Sequence, residues 1–251
     1  MDSEAGWRVN IFQWFTDPAN WTGSNGIPVR TWQHIVISAS AMLIALAVAL
    51  PIGLVLGHKR KGTFLATNVG NVGRAVPTLA LLIIFASITA IGVGDLAAIL
   101  ALALFAIPPL LTNTFTGIAG VDDEVRDAAK GMGMGGAAVL WRVELPLAVP
   151  LVSAGIRTST VQVVATASLA AVVGSGGLGR YVVDGFATQD TTLVLAGAIL
   201  TAAISLAAEA VMALAQRIAT PKGVGATSVT DVAVMDAPVE SAGLAASTER
   251  T

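Results

Sequence analysis

Cysteine is absent from all 251 residues, so disulfides and thiolate metal sites are excluded. There are two histidines, His34 and His58, too far apart in sequence to suggest a transition-metal centre. Only 12% of the residues are charged, too few to cover an ordinary water-facing surface. The formal net charge is -2, and the 14 basic residues are scattered, which argues against a nucleic-acid-binding face. No G-x-x-x-x-G-K-[ST] phosphate loop occurs, so ATP hydrolysis by this chain is not expected.

What is present is apolar. At 55% hydrophobic residues the chain belongs in a membrane, where a core about 30 Å thick needs roughly 20 apolar residues of helix. Five windows qualify, at about 35–57, 75–93, 96–118, 147–173 and 191–215. All five are expected to be helices, because isolated strands leave backbone groups unpaired in lipid. The second and third form a hairpin turned at Gly94 and Asp95.

Orientation follows from the basic run Lys59, Arg60 and Lys61, just past the first span, which belongs on the cytoplasmic side. The N-terminus is then outside and the C-terminus cytoplasmic. Arg126, Lys130, Arg142, Arg217 and Lys222 fall inside, whereas the outer segments carry Arg8, Arg30 and Arg180. Trp7, Trp14, Trp21 and Trp32 lie in the outer leader, where indole rings suit the headgroup level or, alternatively, a box for a quaternary ammonium cation. The expected organisation is an external segment over 1–30, a transmembrane domain over 31–216 and a disordered cytoplasmic tail over 217–251.

Gly174, Gly176 and Gly179 stand at the G-x-G-x-x-G spacing of a dinucleotide-binding turn. More than twenty apolar residues precede them, too many for the strand of a βαβ unit. These glycines are therefore expected to shape an outer loop or gate.

Between the third and fourth windows lies a cytoplasmic loop, 120–146, that carries the most specific pattern. Carboxylates from Asp122 onward precede Asp127, Ala128, Ala129 and Lys130, and Gly131 and Gly133 follow: a short helix with acid at its N-terminus and a glycine stop. Asp127-Ala128-Ala129, then Gly133, then Val143, Leu145 and Pro146 resemble the EAA loop of ABC importer permeases, with Asp in place of Glu and Val in place of Ile. The stretch from Gly131 to Thr160, the glycine loop, "GRAVPTLALL" from Gly73, and "DPANWTG" with "GIPVR" resemble permeases for osmoprotectants such as glycine betaine, choline and carnitine.

That resemblance covers roughly residues 30–216 and implies an all-α integral membrane protein with the five-helix type I importer fold. It also implies a multi-pass subunit in a bacterial plasma membrane, itself no enzyme, working with two cytoplasmic ATPases, a second permease chain and an extracytoplasmic substrate-binding protein. No cofactor would be held by this chain; ATP and Mg would be bound by the partner ATPase. The helix around Asp127 to Gly133 would be the element docked in the ATPase.

Polar groups within spans are costly in lipid and mark a pathway, a gate or a mutual pair. Arg157, Thr160, Gln162, Thr166 and Ser168 in the fourth window, and Glu209 in the fifth, are the candidates, with Arg74 beside the second. Pro146 is expected where the loop ends and the helix changes direction. Two rivals remain in view: a secondary transporter, which would need midplane ion sites and an internal repeat, and a hydrolase using Ser175. An importer for another small solute, such as an amino acid, is the nearest alternative.

Overall fold

A computed structural model describes residues 11–61, 68, 70, 73 and 75–220, and every regular element among them is helical. Trp7, Arg74, Lys222 and the tail beyond residue 220 lie outside the described residues. In chain order the helices are α1 (Ile27–Lys59), α2 (Thr78–Ser87), α3 (Asp95–Ala119), α4 (Asp123–Gly131), α5 (Gly136–Val139), α6 (Leu145–Thr166), α7 (Gly179–Thr188) and α8 (Thr191–Ala219). A π turn, Leu140–Glu144, joins α5 to α6, and a 3-10 turn, Ala167–Val173, extends α6.

Among the described residues, four helical runs are long and apolar enough to cross a membrane: Ile27–Lys59, Asp95–Ala119, Gly136–Val173 and Thr191–Ala219. Within the expected second span, 75–93, the described residues form the 10-residue helix α2, about 15 Å long and shorter than the expected window. The turn from α2 to α3 is correspondingly wider than Gly94 and Asp95, because Ile88 leaves the helix in an extended conformation. Residues 68, 70, 73 and 75 before it are also helical.

Other boundaries shift as well. Helix begins at Gly136 rather than at 147, so the loop expected over 120–146 is only partly loop. Pro146 is not where the loop ends; it lies inside that continuous run, directly after the π turn. A wider turn there pairs Leu145 N–H with the Leu140 carbonyl, and the donor that proline lacks falls at the start of α6. The helix α1 starts at Ile27 and α8 continues to Ala219, each beyond the expected domain edge.

Small residues hold the bundle together. A Cβ added at Gly53 would stand 2.8 Å from Thr114 Cβ, and one at Gly57 would stand 2.7 Å from Ile118 Cβ, so α1 and α3 touch backbone to side chain. Close approach of this kind is how apolar helices gain dispersion contacts when lipid offers no hydrophobic drive. Ala41, Ala45 and Ala49 on α1 and Ala98, Ala101 and Ala106 on α3 are fully buried in the same core. At the other end of α1, Trp14 packs edge-on against Phe15 and Tyr181, centroids 5.1 and 5.4 Å away, and the Tyr181 hydroxyl donates to Asn25 O at 2.6 Å. Part of the leader thus folds back on α7; the crossed rings form packing rather than a parallel-walled box.

Candidate functional site: the α4 segment and its anchorage

The helix α4 is nine residues long and is closed at both ends by its own sequence. Asp122 caps it, its carboxylate accepting from Glu124 N at 2.8 Å, and Asp123 and Glu124 suit the positive end of the dipole. At the far end Gly133 N–H bonds Lys130 O at 2.8 Å and Met134 N–H bonds Ala129 O at 3.2 Å. Those two bonds with Gly133 at φ +85° make a Schellman stop, which a glycine adopts without Cβ strain. Gly131 remains helical, so of the two expected stop residues Gly133 does the work.

Of the expected loop residues, Asp127, Ala128 and Lys130 face outward, while Ala129 is buried. Lys130 Nζ lies 2.8 Å from Asp127 Oδ1, and this ammonium holds the Asp127 carboxyl below the usual carboxylate range. Val143 sits half-buried in the π turn, with Leu145 and Pro146 half-buried just beyond it. The exposed side of the segment is apolar as well as charged, since Met132 is 77% and Trp141 59% exposed. Large apolar groups beside an exposed acid and lysine form a surface suited to a protein partner.

Beneath α4 lies a residue that the motif pattern passed over. Glu144 is fully buried; His58 Nδ1 donates to its Oε2 at 2.6 Å, and Arg126 Nε stands 2.7 Å from its Oε1 as an ion pair, with the N–H off the line of contact. Arg126 Nη2 also donates to His58 O at 2.8 Å. Arg60 adds a salt bridge to Asp123 at 2.5 Å and a hydrogen bond to Val121 O. The available signal was a carboxylate between Val143 and Leu145 at the edge of an apolar run, where the motif accepts any residue.

The span-borne candidates separate onto two faces. Gln162, with Arg157, Thr158 and Glu209, lines a cavity of about 370 Å³ between α6 and α8. Thr160 lines another, about 400 Å³, with His34, Ser38 and Met42 of α1 and Ile204 of α8. Two hydroxyls turn back to their own helix, Thr160 to Ile156 O and Ser168 to Ala165 O; Thr166 is half-buried at the end of α6. His34 Nε2 donates to Val164 O at 2.9 Å, tying α1 to α6.

On the glycine loop, positive φ belongs to Gly174 (+79°) and Gly177 (+92°), the latter outside the fingerprint spacing. Gly179 is required by proximity instead, for a Cβ there would fall 1.8 Å from Ser168 O. Ser175 Oγ donates to Asp95 Oδ1 at 2.6 Å and Gly177 N–H to Gln33 Oε1 at 3.1 Å, which fasten the loop to α3 and α1. The Ser175 hydroxyl is thereby engaged in structure.

These features define a multi-pass helical membrane protein with a short, outward-facing helix set on a buried ionic anchor. The family described as "Binding-protein-dependent transport system inner membrane component" matches residues 49–220. The choline transport system permease protein OpuBB of Bacillus subtilis is 38% identical over 202 residues, 80% of this chain and 92% of that protein. The carnitine transport permease protein OpuCB of Listeria monocytogenes is 39% identical, covering 78% and 89%. Among solved structures, the inward-facing MetNI methionine ABC transporter matches at TM-score 0.69 and 20% identity over 82% of this chain and all of that one. An amino acid ABC transporter with histidines matches at TM-score 0.60 and 16% identity, covering 86% and 96%. The chain belongs to the family of binding-protein-dependent transport system inner membrane components. It is an ABC-type permease, a multi-pass transport subunit of the inner membrane.

Proposed function

We propose that this chain is the membrane-spanning subunit of an ATP-driven importer for a quaternary ammonium osmoprotectant such as choline, glycine betaine or carnitine. The substrate class rests on the relatives, whose names give choline and carnitine as their cargo and which align over about four-fifths of the chain. The subunit role rests on α4, where Asp127, Ala128 and Lys130 lie exposed beside Met132 and Trp141.

In this reading α4 docks in a cleft of a cytoplasmic ATPase, one per permease, and a second permease, identical or sister, completes the pathway. ATP and Mg are bound and used by the ATPase alone. Closure of the paired ATPases moves α4 as a rigid body, and the spans respond by exchanging outward and inward access. The N-terminus lies outside and the C-terminus in the cytoplasm, as the basic residues flanking the spans favour. A substrate-binding protein delivers cargo to the outer face, at the loop of Gly174, Gly176 and Gly179. Arg157, Thr160, Gln162, Thr166 and Ser168 line the pathway or the seam between permeases. Fixed cations repel a quaternary ammonium group, so Arg157 acts there through its pairing rather than by binding cargo.

The test is to tag the chain, solubilise its membranes gently and identify what co-purifies, then to reconstitute the complex and measure uptake of radiolabelled choline, glycine betaine and carnitine. Co-purification of an ATPase bearing a phosphate loop, with ATP-dependent uptake of one of the three, supports the reading. A chain that elutes alone where a known ABC importer stays intact removes the coupling role. Uptake of none of the three by an intact complex removes the substrate class.

A further inference from the structure

The covalent path from α4 to the Gly136–Val173 run passes through four glycines. Between them run Gly131, Gly133, Gly135 and Gly136, and at Gly131, Gly133 and Gly135 an added Cβ would meet nothing within 4 Å. Residues 132–135 are non-helical; Met134 is half-buried, and the Gly133 and Met134 N–H groups bond back to the last turn of α4.

A second connection bypasses the glycines. Arg126 projects from the buried side of α4 onto Glu144, which sits in the π turn that opens the fourth span, and His58 from the last turn of α1 takes the other carboxylate oxygen. Oε2 is thus hydrogen-bonded to His58 and Oε1 is ion-paired with Arg126, the acid is fully buried, and the Arg126 side chain is 8% exposed. A buried charge resists separation from its partners because no water replaces them. Moving α4 alone would strip Glu144 of Arg126, so α4, the end of α1 and the start of the fourth span are held as one body. We propose that Glu144 is the positioning residue through which displacement of α4 reaches the spans, with Arg126 and His58 as its two contacts. This rests on the reading of α4 as the helix docked to the ATPase.

The absence of cysteine allows a direct test. Leu169→Cys, on the exposed side of the 3-10 turn beyond α6, carries an environment-sensitive fluorophore in the purified complex with its ATPase. ATP is added while hydrolysis and fluorescence are followed together. With Glu144 intact, ATP changes the fluorescence. With Glu144→Gln, which keeps the size and one acceptor, the ATPase stays bound and hydrolyses within about twofold of the parent rate while the fluorescence response falls at least about tenfold.

A response retained within about twofold in an intact Glu144→Gln complex overturns the proposal. If that variant loses the complex, Arg126→Gln with Glu144→Gln, which leaves no lone charge buried, is read the same way and with the same two outcomes. An ATPase that fails to bind even the parent chain removes the functional reading itself, and this inference with it. A residue that only stabilised the fold would lower the yield of complex without separating hydrolysis from movement.

Discussion

Arg157 and Glu209 close on each other between α6 and α8: Arg157 Nε donates to Glu209 Oε1 at 3.0 Å, and Nη1 reaches Gln216 Oε1 at 3.2 Å. Both side chains remain 37% exposed in helices that are long and apolar enough to span a membrane. Charges in a span turn toward protein or a water-filled cavity rather than lipid, so this face of the bundle is covered by a partner or by water.

Removing one member of that pair strands the other. Arg157→Gln and Glu209→Gln are each expected to lower the thermal unfolding midpoint and to cut transport severely, whereas the doubly neutral variant recovers most of both. A double-mutant cycle on unfolding and uptake measures this, and strictly additive losses would show that the two groups act separately.

Gly133 is set by its backbone and not by its surroundings, since the space beside it is open and φ is +85°. Gly133→Val is expected to undo the Schellman stop, at a cost of about 1–2 kcal/mol, and to prevent retention of the ATPase while the chain still inserts. Gly133→Asn keeps a residue that tolerates the left-handed conformation and should retain the ATPase. Loss with both variants in a co-purification assay would point to steric blocking of the docked surface instead.

The Asp127 carboxyl is held below its ordinary value of 3.8 first by the hydrogen bond from Lys130 and then by that ammonium's charge. A depressed carboxylate contributes wherever the pH exceeds the ordinary value, and the contribution fades as pH falls through the lower folded value. Retention of the ATPase is therefore expected to be flat from about pH 5 to 8 as far as Asp127 is concerned, and Lys130→Ala should move the acid limit upward. An unchanged acid limit in that variant would leave Asp127 without influence on docking.

On the outer loop the glycines are unequal. A Cβ at Gly179 meets the Ser168 carbonyl at 1.8 Å, whereas one at Gly176 meets the movable end of Gln33 at 2.4 Å. Gly179→Ala is expected to destabilise by about 1–3 kcal/mol or more, and Gly176→Ala by clearly less. Thermal unfolding of the two variants in detergent decides it; equal losses would mean that the loop shifts freely at both positions.

Four of the expected spans were legible because lipid imposes a simple rule: a run of about 20 apolar residues can satisfy its backbone only as helix. The stop at Gly133 was equally readable, since a left-handed C′ residue is a local requirement met by a local residue. At the second window the helix breaks before Thr78 and again after Ser87, which apolar length alone does not mark. Hydropathy does not report where a backbone turns. The fingerprint spacing likewise drew attention to Gly176 and passed over Gly177, although φ +92° belongs to the latter.

The sequence by itself determined what is local or additive: the membrane environment, the spans, the capped and glycine-stopped α4, and the pattern that places the chain in its family. Only the tertiary structure decided the pairings. Glu144 with His58 spans 86 positions of chain, Arg157 with Glu209 spans 52, and Ser175 with Asp95 spans 80. A carboxylate's partner is whatever helix packing brings within about 3 Å, and that depends on how α1, α3, α6 and α8 cross, to which periodicity along one segment is blind.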